Sequence, residues 1–440
     1  MKKALLIIFS ILLAQAANAQ DKDGAKYAKI DSLMNYFYNK GKVMGSLTIR
    51  LKDKVVFEKS YGFAELDTKT PATADTKYKI GQATSLFTAS IIFQLVEDKK
   101  LKLTDKLSEY FPKVPNADKI TIAQMLDHTS GIADYTKADD FASYRYTLQN
   151  RKAMTDRLYA AAPAFEPGAT AEYSAGNYLL LGYIIQDLTK KTYKENVTGR
   201  LVNKAELKNT TYAGKINPKK KEAYSYIFEG SNWVKAPEWH ESVSGGAYGL
   251  VSTPNDLTKF IRALFTGKII KPESLALMTQ TETGNGMGVF YYPFAERRYV
   301  GHTGAIEGFT SVICYYPKEE LSFSLLLNAK NIETLDLISG ILSSYYKLPY
   351  RFPNFNKISV SEAILATYEG NYATPSLPFT INVKAVEGTL RVHADEQGTF
   401  YVAPLSNTTF THDAAGIIME FTQEGFTLKQ NGTSTIFTKQ

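Results

Sequence analysis

Cysteine is almost missing: Cys314 is the single one in 440 residues, so no intramolecular disulfide can form. Long apolar runs are missing too. The run from Ala4 to Ala14 is shorter than the ~20 residues a membrane span needs, and no later run is long enough. Charge of one sign is not in excess. Lys and Arg number 51 against 44 Asp and Glu, a net +7 that gives no argument for a nucleic-acid partner. There are five histidines, and His240, His393 and His412 have no partner at ligand spacing, so neither a metal nor another cofactor is expected. What is present is ordinary globular material, 44% hydrophobic and rich in Tyr (29) and Phe (24), which excludes disordered, fibrous and low-complexity chains. At ~100–200 residues per domain the length suggests two or three domains.

The first residues have the three parts of a secretory leader in order. Lys2 and Lys3 are the positive start, Ala4–Ala14 the apolar run, and Ala17-Asn18-Ala19 the cleavage site. Residues 1–19 are therefore expected to be a signal peptide, with the mature chain starting at Gln20. Loss of Lys2 and Lys3 lowers the net charge by two, to +5. No cysteine follows the run to carry a lipid. A secreted chain with one cysteine fits a bacterial periplasm, where core size replaces disulfides.

Tyr27, Ile30, Leu33, Met34 and Phe37 recur at helical spacing, and Ser46–Lys52 and Lys54–Ser60 read as two strands joined near Asp53. Ser85–Val96 is apolar nearly all round, the mark of a helix inside a large domain. Residues 133–162 are polar and Tyr-rich, suited to a cap over a cleft. Strands follow at Tyr299–Val300, Thr310–Tyr316 and Leu321–Asn328, then an amphipathic helix from Ile332 to Tyr345. Strands at both ends with helices between predict one sheet completed by the two ends, an α/β or α+β domain over 20–346. Leu348–Pro353 marks a linker, set at 347–360, and alternating strands then predict a small all-β domain over 361–440. Its last hairpin is signalled by Asn431-Gly432.

Five stretches carry a resemblance. They are YKIGQATSLFTASIIFQLVEDKKLKLTDKLSEYFP (78–112), ITIAQMLDHTSGI (120–132), FEPGATAEYSAGNYLLLGYII (165–185), GGAYGLVSTPNDLTKFIRALFTGK (245–268) and GHTGAIEGF (301–309). In this order they resemble the β-lactamase-related serine hydrolases, the group of class C β-lactamases, DD-peptidases and related esterases. The resemblance implies a β-lactamase/transpeptidase-like antiparallel sheet flanked by helices. It also implies three motifs. In S-x-x-K, a three-residue helical step lets the lysine take the serine proton. Y-x-N supplies a phenol and an amide, and K-T-G or H-T-G lines the cleft on an edge strand.

This chain departs from the pattern where the chemistry begins. Gln82 stands at the serine position and Ser85 at the lysine position, and neither an amide nor a hydroxyl replaces what was there. Tyr173 is kept, Ala175 replaces the asparagine, and His302-Thr303-Gly304 is intact. Loss of the nucleophile costs ~10⁶ in turnover in a well-studied hydrolase, so the acyl-enzyme mechanism is expected to be gone. The expected ligand cleft is Gln82, Ser85, Tyr173, Ala175, His302, Thr303 and Gly304, open to a small molecule or a peptidoglycan-like peptide. The competing reading is a hydrolase of esters, amides, β-lactams or D-amino-acid peptides with Ser85 as nucleophile and Tyr173 or His302 as base. The plainer reading of Ser85 is a residue that caps or lines the start of a helix. Glu172–Gly176 half resembles a nucleophile elbow around Ser174, without its first glycine. His128 is expected to hold a turn by hydrogen bonds.

Overall fold

The computed structural model describes residues 24–440 apart from 231, 282–284, 354, 356–357, 387, 396–397, 413–414 and 431–432. The expected leader and the Asn431-Gly432 turn lie outside the described residues. Two compact units form: Phe37–Asn331, and a second that joins the residues up to Tyr36 to Ile332–Gln440.

The first unit is built on an eight-stranded sheet. Its strands are β1 (Val43–Leu51), β2 (Lys54–Tyr61), β3 (Tyr226–Glu229), β4 (Asn232–Lys235), β5 (Phe290–Phe294), β6 (Arg297–Ile306), β7 (Phe309–Tyr316) and β8 (Leu321–Lys330). The order is β5-β6-β7-β8-β1-β2, with β3 joining β8 and β4 joining β3. β1 lies antiparallel to β8, Leu47 opposite Leu325 and Ile49 opposite Phe323, so early and late strands share one sheet as the sequence predicts. Both strands are buried almost end to end, which requires cover on both faces and explains why neither alternates apolar with polar.

Helix α1 (Thr84–Glu97) has every residue from Thr84 to Leu95 buried, in line with a surface that is apolar nearly all round. Phe87 stacks on Phe260, ring centroids 3.8 Å apart. Phe260 belongs to α3 (Pro254–Phe265), which starts where Thr253 caps the Asp256 N–H and Pro254 fills the first helical position. Helix α2 (Ala175–Thr189) is capped by Ser174, whose Oγ accepts from the Gly176 N–H. These caps settle where α2 and α3 begin, and α1 and α2 begin at the first two motifs.

In the second unit, eight strands from Gly370–Ala373 to Thr433–Lys439 close into a barrel, sealed where Tyr372 meets Lys439. Its core includes Tyr372, Val383, Val392, Phe410, Met419 and Phe437. Six of the strands, Ile381–Val386, Thr389–Ala394, Gly398–Pro404, Ile417–Phe421, Gly425–Gln430 and Thr433–Lys439, fall in the alternating part of the sequence. Two more complete the closure: Gly370–Ala373 and Thr409–His412, each four residues long. The helix Thr334–Tyr345 groups with this unit, its Gly340 close against Leu33 of the helix at 24–39.

Candidate functional site

The site begins with a contact between two pieces of backbone. A single 3₁₀ turn, Gly81–Ala83, leads into α1 and lies against the end of β6. Gly81 has φ +56, and a Cβ on it would lie 2.8 Å from the Ala305 carbonyl oxygen. A Cβ on Gly304 would lie 2.2 Å from the Ile80 oxygen. Only glycine allows the turn and the strand to approach this closely. Ser311 on β7 adds a hydrogen bond from its Oγ to the Ile80 oxygen, 2.7 Å.

β5 pairs with β6 only as far as Gly301, so among the described residues no strand pairs with 302–306 on that side. The Ala305 N–H is taken instead by Gln82, whose Oε1 accepts it at 2.5 Å. The residue in the serine position therefore holds a backbone amide of the H-T-G strand. Gln82 also reaches the hydroxyl of Tyr248, which contacts Tyr173 and Thr136 as well. The Tyr173 hydroxyl is shut off from solvent beside Tyr248, without a hydrogen bond of normal geometry. Burial raises the Tyr173 phenol well above its ordinary value, and Tyr248, Asp134 and Tyr135 around it raise it further. Burial pushes Tyr248 up to about 12. Both phenols are neutral at pH 7 and neither is a base.

Ser85 lies in the first turn of α1 with its Oγ buried and without a hydrogen-bond partner, so neither Tyr173 nor His302 is in position to take its proton. His302 is buried on β6. Its Nδ1 faces the Thr303 carbonyl at 2.5 Å and so carries the proton, which leaves Nε2 as an acceptor with no donor. Burial pushes its pKa down to about 4. Ala175 is the buried first residue of α2, Thr303 is half-exposed with its hydroxyl against Tyr292, and Gly304 is buried in the turn contact. The structure thus joins Gln82 to Tyr173 through Tyr248 and to the strand edge through Ala305, and keeps Ser85 and His302 beneath the surface.

Several residues here carried no chemical signal in the sequence. Tyr248 and Thr136 are the hub around Gln82, and Tyr248 lies within the quoted stretch 245–268. Asn177 follows Ala175 by two residues and makes a buried network. Ser130 Oγ donates to its Oδ1 at 2.6 Å, and its Nδ2 faces His128 Nδ1 at 3.3 Å. His128 Nδ1 also accepts the Ser174 N–H at 3.2 Å, so the imidazole ties the H-T-S-G turn to the start of α2. Burial, and then the nearby His302, push His128 down to about 3. Ser174 is committed to capping and to the Ala133 carbonyl, and irregular chain rather than a strand precedes it, so the elbow geometry is absent.

Tyr173 and Glu172 also line a cavity of about 540 Å³ whose other walls come from residues 132–165. None of Gln82, Ser85 and His302 lines it. Among the described residues no group of three or more His, Cys, Asp or Glu could hold a metal, and no helix is long and apolar enough to cross a membrane.

Comparison with known proteins places this geometry. The curated Protein flp of Staphylococcus aureus (strain MW2) is 28% identical over 365 residues, 78% of this chain and 70% of that protein. Teichoic acid D-alanine hydrolase of Staphylococcus aureus (strain MRSA252) is 26% identical over 266 residues, 59% of this chain and 62% of that protein. The fold is that of D-amino acid amidase from Ochrobactrum anthropi SV3, solved with L-phenylalanine amide: TM-score 0.65 at 24% identity, covering 73% of this chain and 99% of that one. The profile of the Beta-lactamase family matches residues 32–337, and the chain belongs to that family.

Proposed function

We propose that this chain is a binding member of the family, holding a small amino-acid- or peptide-like ligand without a serine acyl-enzyme step. The Gln82 hydrogen bond carries the reading. The side chain in the nucleophile position is an amide, and its oxygen is already the acceptor for the Ala305 N–H. An attacking group would have to come from elsewhere. Ser85 lacks a base within hydrogen-bond reach, the phenols near Gln82 are held neutral, and a His302 imidazole with a pKa near 4 is a weak base at pH 7. With no nucleophile, the ~10³–10⁴ rate advantage over water that survives such a loss is below useful acylation.

A ligand of amino-acid type is supported by the relatives, one named for D-alanine hydrolysis from teichoic acid and one solved with an amino-acid amide. Action outside the cytoplasm, in a periplasm, is part of the same proposal and rests on the leader-like first 19 residues. The test is covalent labelling of the mature protein with a fluorescent β-lactam and a fluorophosphonate, read by intact mass. The expected result is no adduct. A stoichiometric adduct mapping to Ser85 or Ser174 would overturn the proposal and make the protein a hydrolase with a relocated nucleophile.

A further inference from the structure

The positive charge of this chain is gathered in one loop. Residues 204–221 hold six lysines against the single acid Glu206, a net +5 that equals the whole excess of the chain after Ala19. Glu206 is itself neutralised by Lys268 at 2.9 Å, and Lys204 donates to the Ile269 carbonyl. Lys208, Lys215, Lys219, Lys220 and Lys221 are left, all exposed. Lys221 pairs with Asp75 at 2.7 Å, and among the described residues the other four are in no ion pair. The Asn209 side chain reaches Asp75 as well, which brings Lys208 beside the 219–221 turn.

Acids lie close to these lysines, but backbone amides have taken them. Asp256 accepts the Asn209 N–H at 2.6 Å and the Thr210 hydroxyl at 2.9 Å. Glu238 accepts the Ile216 N–H at 2.7 Å, and Glu222 the Asn217 N–H at 2.8 Å. Each carboxylate thereby fixes a bend of the loop. Pro218 starts a 3₁₀ turn, with Asn217 capping the Lys219 N–H at 3.0 Å. The turn closes at Lys221, φ +61, whose carbonyl accepts the Lys77 N–H at 2.8 Å. The backbone is tied at every step while the ammonium ends stay in solvent.

We propose that this loop docks the protein on the anionic headgroup surface of a lipid membrane. In a 3₁₀ turn successive side chains leave about 120° apart, so Lys219 and Lys220 spread rather than converge on one phosphate. Residues 204–221 contain no arginine to grip a phosphate in a fork. Their one aromatic, Tyr212, packs on Tyr193 instead of offering its ring to a base. What remains is a positive field without fixed geometry. A fluid lipid surface suits it, because headgroups move to meet the charges, whereas a polymer presents its phosphates at set spacing. The loop is also joined to the site. Tyr212 lies opposite Leu250, two residues after Tyr248, and Lys79 lies opposite Val251, just ahead of the turn that carries Gln82. Docking through the loop therefore sets the orientation of Gln82 and Tyr248 to the membrane. The inference does not rest on the reading of Gln82, and a covalent adduct at Ser85 would leave it standing.

The test is co-sedimentation of the mature protein with vesicles of equal parts phosphatidylglycerol and phosphatidylcholine, against phosphatidylcholine alone. Binding is expected to the anionic vesicles only, and is lost at ~1 M salt, where the screening length is ~3 Å. Each lysine near such a surface is worth about fivefold in partition, so Lys208→Gln with Lys219→Gln and Lys220→Gln weakens it about a hundredfold. Arginine at the same three positions keeps it. Lys100→Gln with Lys102→Gln and Lys113→Gln removes the same charge from another exposed stretch and costs less than about tenfold. No binding to the anionic vesicles, or equal loss in the two glutamine triples, would overturn the proposal. So would a higher affinity per phosphate for polyphosphate or single-stranded DNA than for the vesicles.

Discussion

Acid should destabilise this protein well above the pH where its carboxylates titrate, and two buried imidazoles set the size of the effect. His302 is pushed from the ordinary 6.5 down to about 4 and His128 down to about 3, both by burial first. A histidine whose folded pKa is depressed contributes its full stability above the unfolded value and loses it as pH falls toward the folded one. The unfolded chain then takes up protons that the folded chain refuses. The window opens at about 6.5 and runs down to about 4. At pH 5, roughly 1.5 units below the unfolded value, each imidazole costs ~2 kcal/mol, so the pair costs up to ~4 kcal/mol relative to pH 7. Burial of both rings means that solvent screens little of this. Carboxylates held low, such as Asp75 through its hydrogen bond to Lys221, add their own loss only nearer pH 4. The assay is urea unfolding of the mature protein at steps from pH 7 to pH 5, for the natural chain and for His302→Gln and His128→Gln. Each substitution should cut the pH slope by about half, whatever it does to stability at pH 7. An unchanged slope in both variants would refute the reasoning, because the protons would then be bound elsewhere.

Gln82→Ala removes the acceptor at Ala305, whose amide is exposed, so its hydrogen exchange should speed up by about tenfold or more, the weight of one ~1.4 kcal/mol hydrogen bond. Equal exchange in both proteins, measured by NMR on assigned amides, would show that the bond is not made in solution. Lys79 and Glu307 form an ion pair at 2.7 Å with both side chains almost fully buried, and Glu307 Oε1 also accepts the Trp239 N–H at 2.7 Å. Lys79→Met leaves that carboxyl unpaired and should cost ~3 kcal/mol, the low end for a broken buried pair, because burial already pushes Glu307 toward its neutral form. Lys79→Met with Glu307→Gln should recover part of the loss, and a single variant within ~1 kcal/mol of the natural chain in urea unfolding would count against the pairing.

Much of the architecture could be read from apolar patterning, because a helix without a polar face and strands flanking a helical middle leave few arrangements. The α1 stretch and the β6–β8 strands are of this kind. Thr409–His412 is not legible in the sequence because four residues rich in threonine give too short an alternation to stand out, although the barrel closes through them. In the site, the residue types at 82, 85 and 175 were legible, since a changed side chain is visible in any motif. Depth was not. His302 lies in an intact H-T-G and reads as cleft-facing, yet Phe290 packs against it with ring centroids 4.7 Å apart and it is 1% exposed. Nor could the sequence single out Tyr248. A tyrosine in a glycine-rich stretch has no partner pattern, and its role comes from the Gly81–Ala83 turn, the chain just before α2 and Thr136 meeting around one hydroxyl.

The hydrogen bond from Ala305 to Gln82 has a consequence for how this chain meets its neighbours. A strand that runs past the end of its partner presents unpaired amides, and such an edge is a template on which another chain can add a strand. β6 runs past β5 in this way over 302–306. With Gln82 in place, the exposed amide at Ala305 already has its acceptor within the molecule, supplied by a side chain that no sheet register constrains. The glutamine acts here as a gatekeeper, blunting the edge toward self-association. A chain with a shorter residue at 82 would leave that edge open to the first extended segment it met at high concentration.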